Sequence, residues 1–454
     1  MERIDSETDI VLMLDDYSAD SQKLHNSFIN AEIDCPVMVI NSDGFIPDGV
    51  IGVYEIMLGD YSACKTAPGY PRYFNQIDVP LYWEITATNN GGSVWDMGKE
   101  RARIYFANPK NKRLVKLVEW LDENGIVRLS DHYNKWGALY ARTIFNSKGE
   151  RVNKSYFSAD GIEAIVENYV TGAIFLKTEK KEIVFTNRTE YIIFILERLG
   201  FANKRLFYNT LSYPFFVSQQ LQDNHKGDVL FWQENARDDI PGNMQIILSY
   251  QAKRTGRILV QKGPAYEKLL ELGASPNIVE KLGNVYSFKK ENAGSNNVLI
   301  CTNSDQIMHL RDFVEALPQL HFHIAALTEM SSELMSMDEY ENVSLYKGVK
   351  PAVLDDLFMK CDFYLDINRY DEIVDAVYTA FLHNQLIFAF EDTAHNRHYE
   401  GGNSIFVADE WKEVCEKLLN AYEDADNRRN LLEMQQTVAL AEGKKDFAEY
   451  LKMN

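Results

Sequence analysis

Residues 361–377 read CDFYLDINRYDEIVDAV. The first half is an apolar run short enough for a buried strand, and the second half passes through acids into a segment with helical apolar spacing. A strand that runs through a turn straight into a helix is half of a βαβ unit, because parallel neighbours need a crossover between them. The flanks repeat the pattern. NVLICT (297–302), LHFHIAA (320–326), VSLY (343–346) and QLIFAF (385–390) read as further buried strands. Helical spacing occupies 305–317, 351–360 and 371–383, with Pro351 suited to a first helical turn. A parallel sheet follows, with any ligand expected at the carboxyl ends of its strands.

The amino-terminal part opens in the same way. IVLML (10–14), DSQKLHNSFINAEI (20–33) and CPVMVI (35–40) read as strand, helix, strand. The pattern resumes at RLFYNTL (205–211), GDVLFWQ (227–233), NMQIILSY (243–250) and GRILVQ (256–261), with a helix from Pro264. Between them the texture changes. RARIYFA, RLVKLVEWL, GIVRLSDHY, ALYARTIFN, RVNKSYFS, EAIVENYV, AIFLKT and EIVFTN follow at short intervals. Turn signals at 122–125, 146–149, 159–161 and 179–181 separate them. Charged and apolar residues alternate, as in Arg101-Ala-Arg103-Ile-Tyr105, which is the pattern of an antiparallel meander with one solvated face. The expected organisation is α/β. Residues 1–69 and 188–290 form a first, discontinuous Rossmann-like domain, and 70–187 an inserted extended β-meander. Residues 291–422 form a second Rossmann-like domain, and 423–454 a helical tail that packs back on the first.

Composition narrows the function classes. The chain has 454 residues, 47 Lys and Arg against 67 Asp and Glu, and a formal net charge of -20. A nucleic-acid backbone calls for a basic face, so nucleic acid is excluded as the main partner. Five cysteines (Cys35, Cys64, Cys301, Cys361, Cys415) stand apart with no paired spacing, as in a reducing compartment. The acidic start MERIDSETD lacks the basic region of a signal peptide, and no apolar run reaches the ~20 residues of a membrane helix. A cytoplasmic protein is expected, peripheral on the membrane at most.

Two Rossmann-like domains facing one cleft is the arrangement of the GT-B glycosyltransferases, and three tests compare the residues with the retaining members. Those enzymes carry two glutamates separated by seven residues with glycines between, so that backbone N–H groups approach a diphosphate. Here Asp375 takes the second acid position, Ile367 the first, and the seven residues between contain no glycine. The first strand–helix junction of the second domain, Cys301-Thr-Asn-Ser-Asp-Gln306, has no cation to neutralise a diphosphate. The corresponding junction of the first domain, Leu14-Asp-Asp-Tyr-Ser-Ala-Asp20, has acids and no glycine. The donor chemistry is therefore expected to be lost, with no catalytic residue, no metal and no cofactor. His321 and His323 share a strand face, where packing is the simpler role than metal binding. The candidate acceptor-binding residues lie at strand ends facing the cleft: Tyr208, Asn209, Trp232 and Gln233 on one wall, and Asn303, Ser304, Thr328, Glu329, Asp366, Asn368, Glu372, His395, Asn396 and Arg397 on the other.

VRLSDHYNKWG, FYNTLSYPFF, DVLFWQE, IPGNM, TNSDQI, LPQLHFHIAALTEMSS, CDFYLDIN and TAHNR together resemble the GtfB-type stabilising subunit of the accessory Sec glycosylation system, over nearly the whole chain from Ile10. The resemblance implies a GT-B fold with an inserted extended-β domain. It implies a heterotetramer, two copies of each chain, with the catalytic subunit GtfA. That enzyme attaches the first N-acetylglucosamine from UDP-GlcNAc to Ser and Thr of serine-rich repeat adhesins before export. It also implies that this chain stabilises the enzyme and holds the acceptor without catalysing. The alternative is an active retaining glycosyltransferase with Asp366 or Glu372 in place of the missing glutamate; a third reading is a free-standing carbohydrate-binding protein.

Overall fold

The computed structural model describes residues 8–64, 67–178, 181–222, 227–401 and 403–452. Its first sheet begins with β1 (Ile10–Leu14), β2 (Val37–Val39) and β3 (Val50–Gly52). All five residues of β1 are buried, since helices cover both faces of the sheet. The chain then leaves for ten antiparallel strands. These are β4 (Glu84–Ala87), β5 (Gly92–Asp96), β6 (Lys99–Phe106), β7 (Val115–Leu121), β8 (Val127–Tyr133), β9 (Leu139–Phe145), β10 (Arg151–Phe157), β11 (Glu163–Asn168), β12 (Ile174–Lys177) and β13 (Glu182–Phe185). They pair strictly in chain order. In β6 the alternation is visible residue by residue: Ala102, Ile104 and Phe106 are buried, and Arg103 and Tyr105 face solvent. Gly125, Gly149 and Gly161 close the turns with φ of 77°, 78° and 76°. The fourth turn signal, at 179–181, falls largely on residues 179 and 180, outside the described residues.

Helix Arg188–Leu199, capped by the Asn187 side chain on the Glu190 N–H, returns the chain to the first sheet. There β14 (Arg205–Tyr208), β15 (Asp228–Trp232), β16 (Thr255–Val260) and β17 (Val279–Lys281) complete the order β17-β16-β15-β14-β1-β2-β3, every pair parallel. The second sheet holds β18 (Asn297–Thr302), β19 (His321–Ala326), β20 (Val343–Tyr346), β21 (Phe363–Asp366), β22 (Leu386–Phe390) and β23 (Ile405–Phe406). Its order is β20-β19-β18-β21-β22-β23, again all parallel. Strand order reverses between β1 and β14 in one sheet and between β18 and β21 in the other, and these reversals are where such sheets open a crevice.

Within the 70–187 expected for the meander, β4 and β5 precede the RARIYFA run, and their Gly91-Gly92 and exposed side chains weaken the alternation signal. Two helices differ from expectation. The helix expected at 305–317 begins only at Leu310, because 306–308 zip onto 367–369: Met308 N–H donates to the Ile367 carbonyl (2.9 Å) and Arg369 N–H to that of Gln306 (3.0 Å). The helix expected at 371–383 begins at Ala376, after a loop.

The meander shares the core of the first sheet over its second half. Tyr140, Tyr156, Ile165, Ile174 and Leu176 pack in one cluster with Tyr54, Tyr191 and Ile192, and Tyr54 stacks on Tyr156 at 4.4 Å between ring centroids. Its first half has a small core of its own around Val94, Ile104, Phe106 and Val118. The tail divides. Helix Ala425–Val438 stays on the second sheet, where Gln435 accepts from Ile387 N–H (3.0 Å) and donates to the Gln385 carbonyl (3.0 Å). Helix Lys444–Lys452 crosses to the first sheet and buries Phe447 and Leu451 against Leu12, Leu24, Phe28 and Phe231. Phe447 meets Phe28 edge-on at 5.8 Å. Truncation of such a side chain costs about 3–5 kcal/mol. Phe447→Ala is therefore expected to lower the urea midpoint strongly, and an unchanged midpoint would show that the tail does not clamp the first sheet.

Candidate functional site

The β21 end carries a carboxylate that has almost no access to water. Asp366 is 1% exposed and accepts from the His395 N–H (2.8 Å, to Oδ2) and from His395 Nδ1 (2.7 Å, to Oδ1). The other ring nitrogen, Nε2, lies 2.6 Å from the Tyr370 carbonyl. An imidazole donating at both nitrogens is the cation, and the hydrogen bond to Asp366 raises its pKa to about 9. Thr393 Oγ1 donates to the Asp366 carbonyl at 2.6 Å. Glu400 is wholly buried beside the same carboxylate. Burial, then the hydrogen bonding and charge of the adjacent Asp366 carboxylate, push its pKa up to about 8. Glu372, raised by burial, caps the next helix by accepting from Val377 N–H (2.7 Å).

Asn368 occupies the switch point itself. It is buried, its Oδ1 accepts from Thr302 Oγ1 (2.9 Å) and Ser304 Oγ (3.1 Å), and its Nδ2 donates to the Tyr370 carbonyl (2.9 Å). Ile367 is a core residue. The loop that follows has no glycine, yet Val374 and Asp375 adopt φ of 50° and 49°. A β-branched residue in the left-handed region is strained by about 1–3 kcal/mol. On the rim, Asn303 Oδ1 accepts from Leu327 N–H (3.2 Å) beside exposed Thr328 and Glu329. Exposed Arg397 donates to the Glu391 carbonyl (3.2 Å), and half-buried Asn396 donates its N–H to Glu400 (3.2 Å).

The facing wall is also closed by amides. Asn209 accepts from Asp15 N–H (3.0 Å) and donates to Ser21 Oγ (2.9 Å) and Gln233 Oε1 (3.0 Å). Gln233 donates to Gln261 (2.8 Å) and to the Asp20 carbonyl (2.8 Å); Gln261 donates to Asn284 (3.1 Å). This ladder runs along successive strand ends of the first sheet. The two walls meet where Lys23 Nζ sits 5.6 Å from the Tyr378 ring centre and 5.4 Å from that of Tyr399.

The structure places the expected contact residues in different settings. Tyr208, its hydroxyl on Thr255 Oγ1 at 2.7 Å, and Trp232 are buried core side chains. Asn209, Gln233, Asp366 and Asn368 spend their polar groups on internal bonds, because a polar atom at a buried strand end must be paired where it stands. Ser304, His395, Asn396 and Glu372 gather around that network, and Asn303, Thr328, Glu329 and Arg397 remain on the exposed rim. His321 and His323 are packing residues: His321 meets Ser344 Oγ (2.8 Å), and His323 meets Tyr346 (3.0 Å) and Asn297 (2.9 Å). Among the described residues no group of three His, Cys, Asp or Glu is placed to hold a metal. Glu400 and Thr393 escaped the sequence reading, since neither periodicity nor spacing marks a single buried acid in a loop.

Both raised groups act in one direction. Between the ordinary 4.5 and about 8, folded Glu400 keeps a proton that the unfolded chain has released, and between 6.5 and about 9 His395 does the same. Stability therefore falls as pH rises through that window. The melting temperature is expected to drop from pH about 6 to about 9, and Glu400→Gln, which fixes the neutral side chain, should flatten the lower part of the slope. Val374→Gly, which relaxes the positive φ, should raise stability by about 1 kcal/mol in chemical unfolding; a loss there would show that the side chain is held by something other than strain.

Four family models match successive parts of the chain: GtfB N-terminal domain (residues 11–56), GtfB middle domain (83–186), GtfB third domain (188–272) and GftB/GlyA-F C-terminal domain (298–435). The UDP-N-acetylglucosamine–peptide N-acetylglucosaminyltransferase stabilizing protein GtfB of Streptococcus gordonii is 41% identical over 94% of this chain and 94% of its own length. The protein of the same name from Streptococcus agalactiae is 39% identical over 97% of this chain and 99% of its own. Among solved structures, a chain of the GtfA/B complex bound to UDP and GlcNAc superposes with a TM-score of 0.89 at 40% identity, covering 97% of this chain and 99% of that one. With two parallel sheets, a ten-stranded meander between the strands of the first, and this identity over almost its full length, the chain belongs to the GtfB stabilising-protein family.

Proposed function

We propose that this chain is the non-catalytic, stabilising and acceptor-holding subunit of a protein O-GlcNAc transferase, acting with a GtfA-type catalytic subunit. The observation that carries the reading is the filled switch point of the second sheet. Where a retaining GT-B enzyme needs a glutamate and room for a diphosphate, Ile367 is in the core, and Asp366 and Asn368 are committed to His395, Thr302 and Ser304. Asp366 and Glu372 therefore make poor substitutes for a catalytic carboxylate: one is ion-paired and buried, the other caps a helix. The similarity to a GtfA/B complex chain supplies the partner class.

The finer reading is as follows. Residues 1–69 with 188–290, and 291–422, are the two Rossmann-like domains of a GT-B fold, 70–187 is an insertion, and 423–454 a helical tail. The assembly is a heterotetramer with two copies of each subunit. The acceptor is a serine-rich repeat adhesin, modified in the cytoplasm or at the cytoplasmic membrane face before export by the accessory Sec system. A disordered Ser/Thr-rich chain is bound weakly at each contact and benefits from an extended surface. The exposed rim of Asn303, Thr328, Glu329 and Arg397 is the part of the candidate set open to it. No helix among the described residues is long and apolar enough to cross a membrane.

Co-expression with the catalytic subunit tests this directly. The expected outcome is a co-eluting complex, more soluble transferase than without this chain, and transfer of N-acetylglucosamine to a Ser/Thr-rich peptide only when the partner is present. Calorimetry of the isolated chain with UDP and UDP-GlcNAc should give no saturable heat. Transfer by the chain alone, or tight UDP binding, would instead establish an active glycosyltransferase, and a stable monomer with no effect on the partner would establish a free-standing binding protein.

A further inference from the structure

The loop 393–401 touches two places that are otherwise separate. Its inner side closes the end of β21. Thr393 Oγ1 donates to the Asp366 carbonyl (2.6 Å), the His395 N–H and Nδ1 donate to the Asp366 carboxylate (2.8 and 2.7 Å), and Glu400 is hydrogen-bonded to the same carboxylate. Its outer side carries His398 and Tyr399 to the meeting of the two sheets. Tyr399 is buried against Tyr378 and Phe381, with ring centroids 5.0 and 4.8 Å away, and Lys23 of helix Ala19–Asn30 sits 5.4 Å from its ring centre. His398 Nε2 lies 3.4 Å from the hydroxyl of Tyr286, in the segment that joins the sheets. The loop runs between β22 and β23 and belongs to neither, so its closure depends on side chains. Two of its amides end on the two carboxyl groups: His395 N–H on Asp366, and Asn396 N–H on Glu400 (3.2 Å).

Two protons make this closure possible. Asp366 and Glu400 are both buried, and two carboxylates in contact without water repel unless a proton lies between them. His395, donating to Asp366 and to the Tyr370 carbonyl, carries the second proton. The other groups that face this cluster add negative charge. Glu372, from the segment before helix Ala376–Leu382, acts on His395 and is itself acted on by Asp366 and Asp375. On the outer side, the charges that face His398 are Lys23, Asp20 and Lys262. Loss of both protons would leave three carboxylates beside a neutral imidazole, with the loop closed over them.

We propose that residues 393–401 form a proton-held latch, which opens as the solution turns alkaline and releases the Tyr399 contact with Lys23 while the rest of the chain stays folded. The sign follows from the two groups. Burial, then Asp366, raises Glu400 from 4.5 to about 8, and the hydrogen bond to Asp366 raises His395 from 6.5 to about 9. The closed loop therefore keeps protons that the opened loop gives up, and opening becomes easier as pH rises through that window. The ties that do not pass through the loop stay in place, among them Phe447 on the first sheet and Asn30 on the Val285 carbonyl. Opening is thus local, a loop released from a folded chain.

Hydrogen–deuterium exchange on the full-length chain is the test, run from about pH 6 to about 9.5 and corrected for the intrinsic rise of amide exchange with pH. Opening of peptides within 391–401 is expected to grow about tenfold per pH unit for each proton released. That makes about a hundredfold per unit between 6.5 and about 8, where both groups contribute, with a plateau above about 9. Glu400→Gln keeps a hydrogen-bond donor and removes one titration, so its slope should fall to about tenfold per unit. Asp366→Asn removes the carboxylate that both groups bond; it should flatten the slope further, and it serves if Glu400→Gln fails to fold. Labelling of Lys23 by an amine-reactive ester should rise with loop opening, measured against the variant at the same pH. Exchange in helix Lys444–Lys452 should not follow. A flat wild-type profile, the same slope in wild type and variant, an equal slope in helix Lys444–Lys452, or Lys23 labelling that does not track the loop would overturn the latch. The measurement needs no catalytic subunit, so its failure leaves the proposed partnership untouched.

Discussion

At both topological switch points an asparagine side chain occupies the crevice. Asn209, at the end of β14, accepts from the backbone of Asp15 just past β1; Asn368, just past β21, accepts from Thr302 and Ser304 at the end of β18. These are the two places where parallel α/β sheets leave room for a ligand. A carboxamide bonded across the gap holds the two diverging strand ends together and fills the room. Much else follows from this constraint. With Asn368 fixed, the chain after β18 is drawn onto 367–369, the next helix starts late at Leu310, and Asp366 is enclosed beneath His395. With Asn209 fixed, Gln233, Gln261 and Asn284 continue the ladder to the segment that joins the two sheets.

That joining segment is itself bonded on both sides. Asn30 donates to the Val285 carbonyl (2.7 Å), Ser27 accepts from Val285 N–H (3.0 Å), and Tyr286 donates to the Ala439 carbonyl (3.1 Å). The last helix then returns Phe447 to the first sheet. A hinge between two such sheets would need a connection with few partners. Here the connection, the tail and the Lys23 contact with Tyr378 and Tyr399 all tie the halves together. The meander is tied as firmly, since Tyr54 and Tyr191 from the first sheet stack within its core. These contacts hold the two sheets and the meander against one another at several separate points.

The parallel sheets were legible because their strands are buried on both faces and read as short unbroken apolar runs. The meander was legible where Ala102, Ile104 and Phe106 alternate with Arg103 and Tyr105, and illegible at Glu84–Asp96, where half-exposed residues and glycines erase the period. The acids and amides at strand ends were found, but their roles were not. Asp366 and Thr328 are both polar residues placed after apolar runs, and sequence spacing treats them alike. One is buried and the other exposed, and only the packing of the 393–400 loop over β21 decides which. The cavity of about 450 Å³ between the first sheet and the meander was out of reach for a further reason: Glu55 and Lys154, which both line it, are about a hundred residues apart and come to one cavity only because the insertion folds back on the sheet that it interrupts.

The loop after β21 bears on what such a site keeps when its chemistry goes. Glycines in a phosphate loop serve two purposes: they allow positive φ, and they let an anion approach the backbone. Val374 and Asp375 retain the first, since both adopt positive φ, while the Val377 N–H at the start of the next helix is taken by the Glu372 carboxylate. Strain of that kind persists only if the surroundings over-determine the backbone. Here the over-determination is visible: Tyr370 is held through its carbonyl by His395, Asn368 bonds the same carbonyl, and Ile373, Ala376 and Val377 are buried in the core that follows. The turn geometry is therefore maintained by packing and by the Asp366–His395 pair, and it no longer depends on the residue type that a phosphate would require.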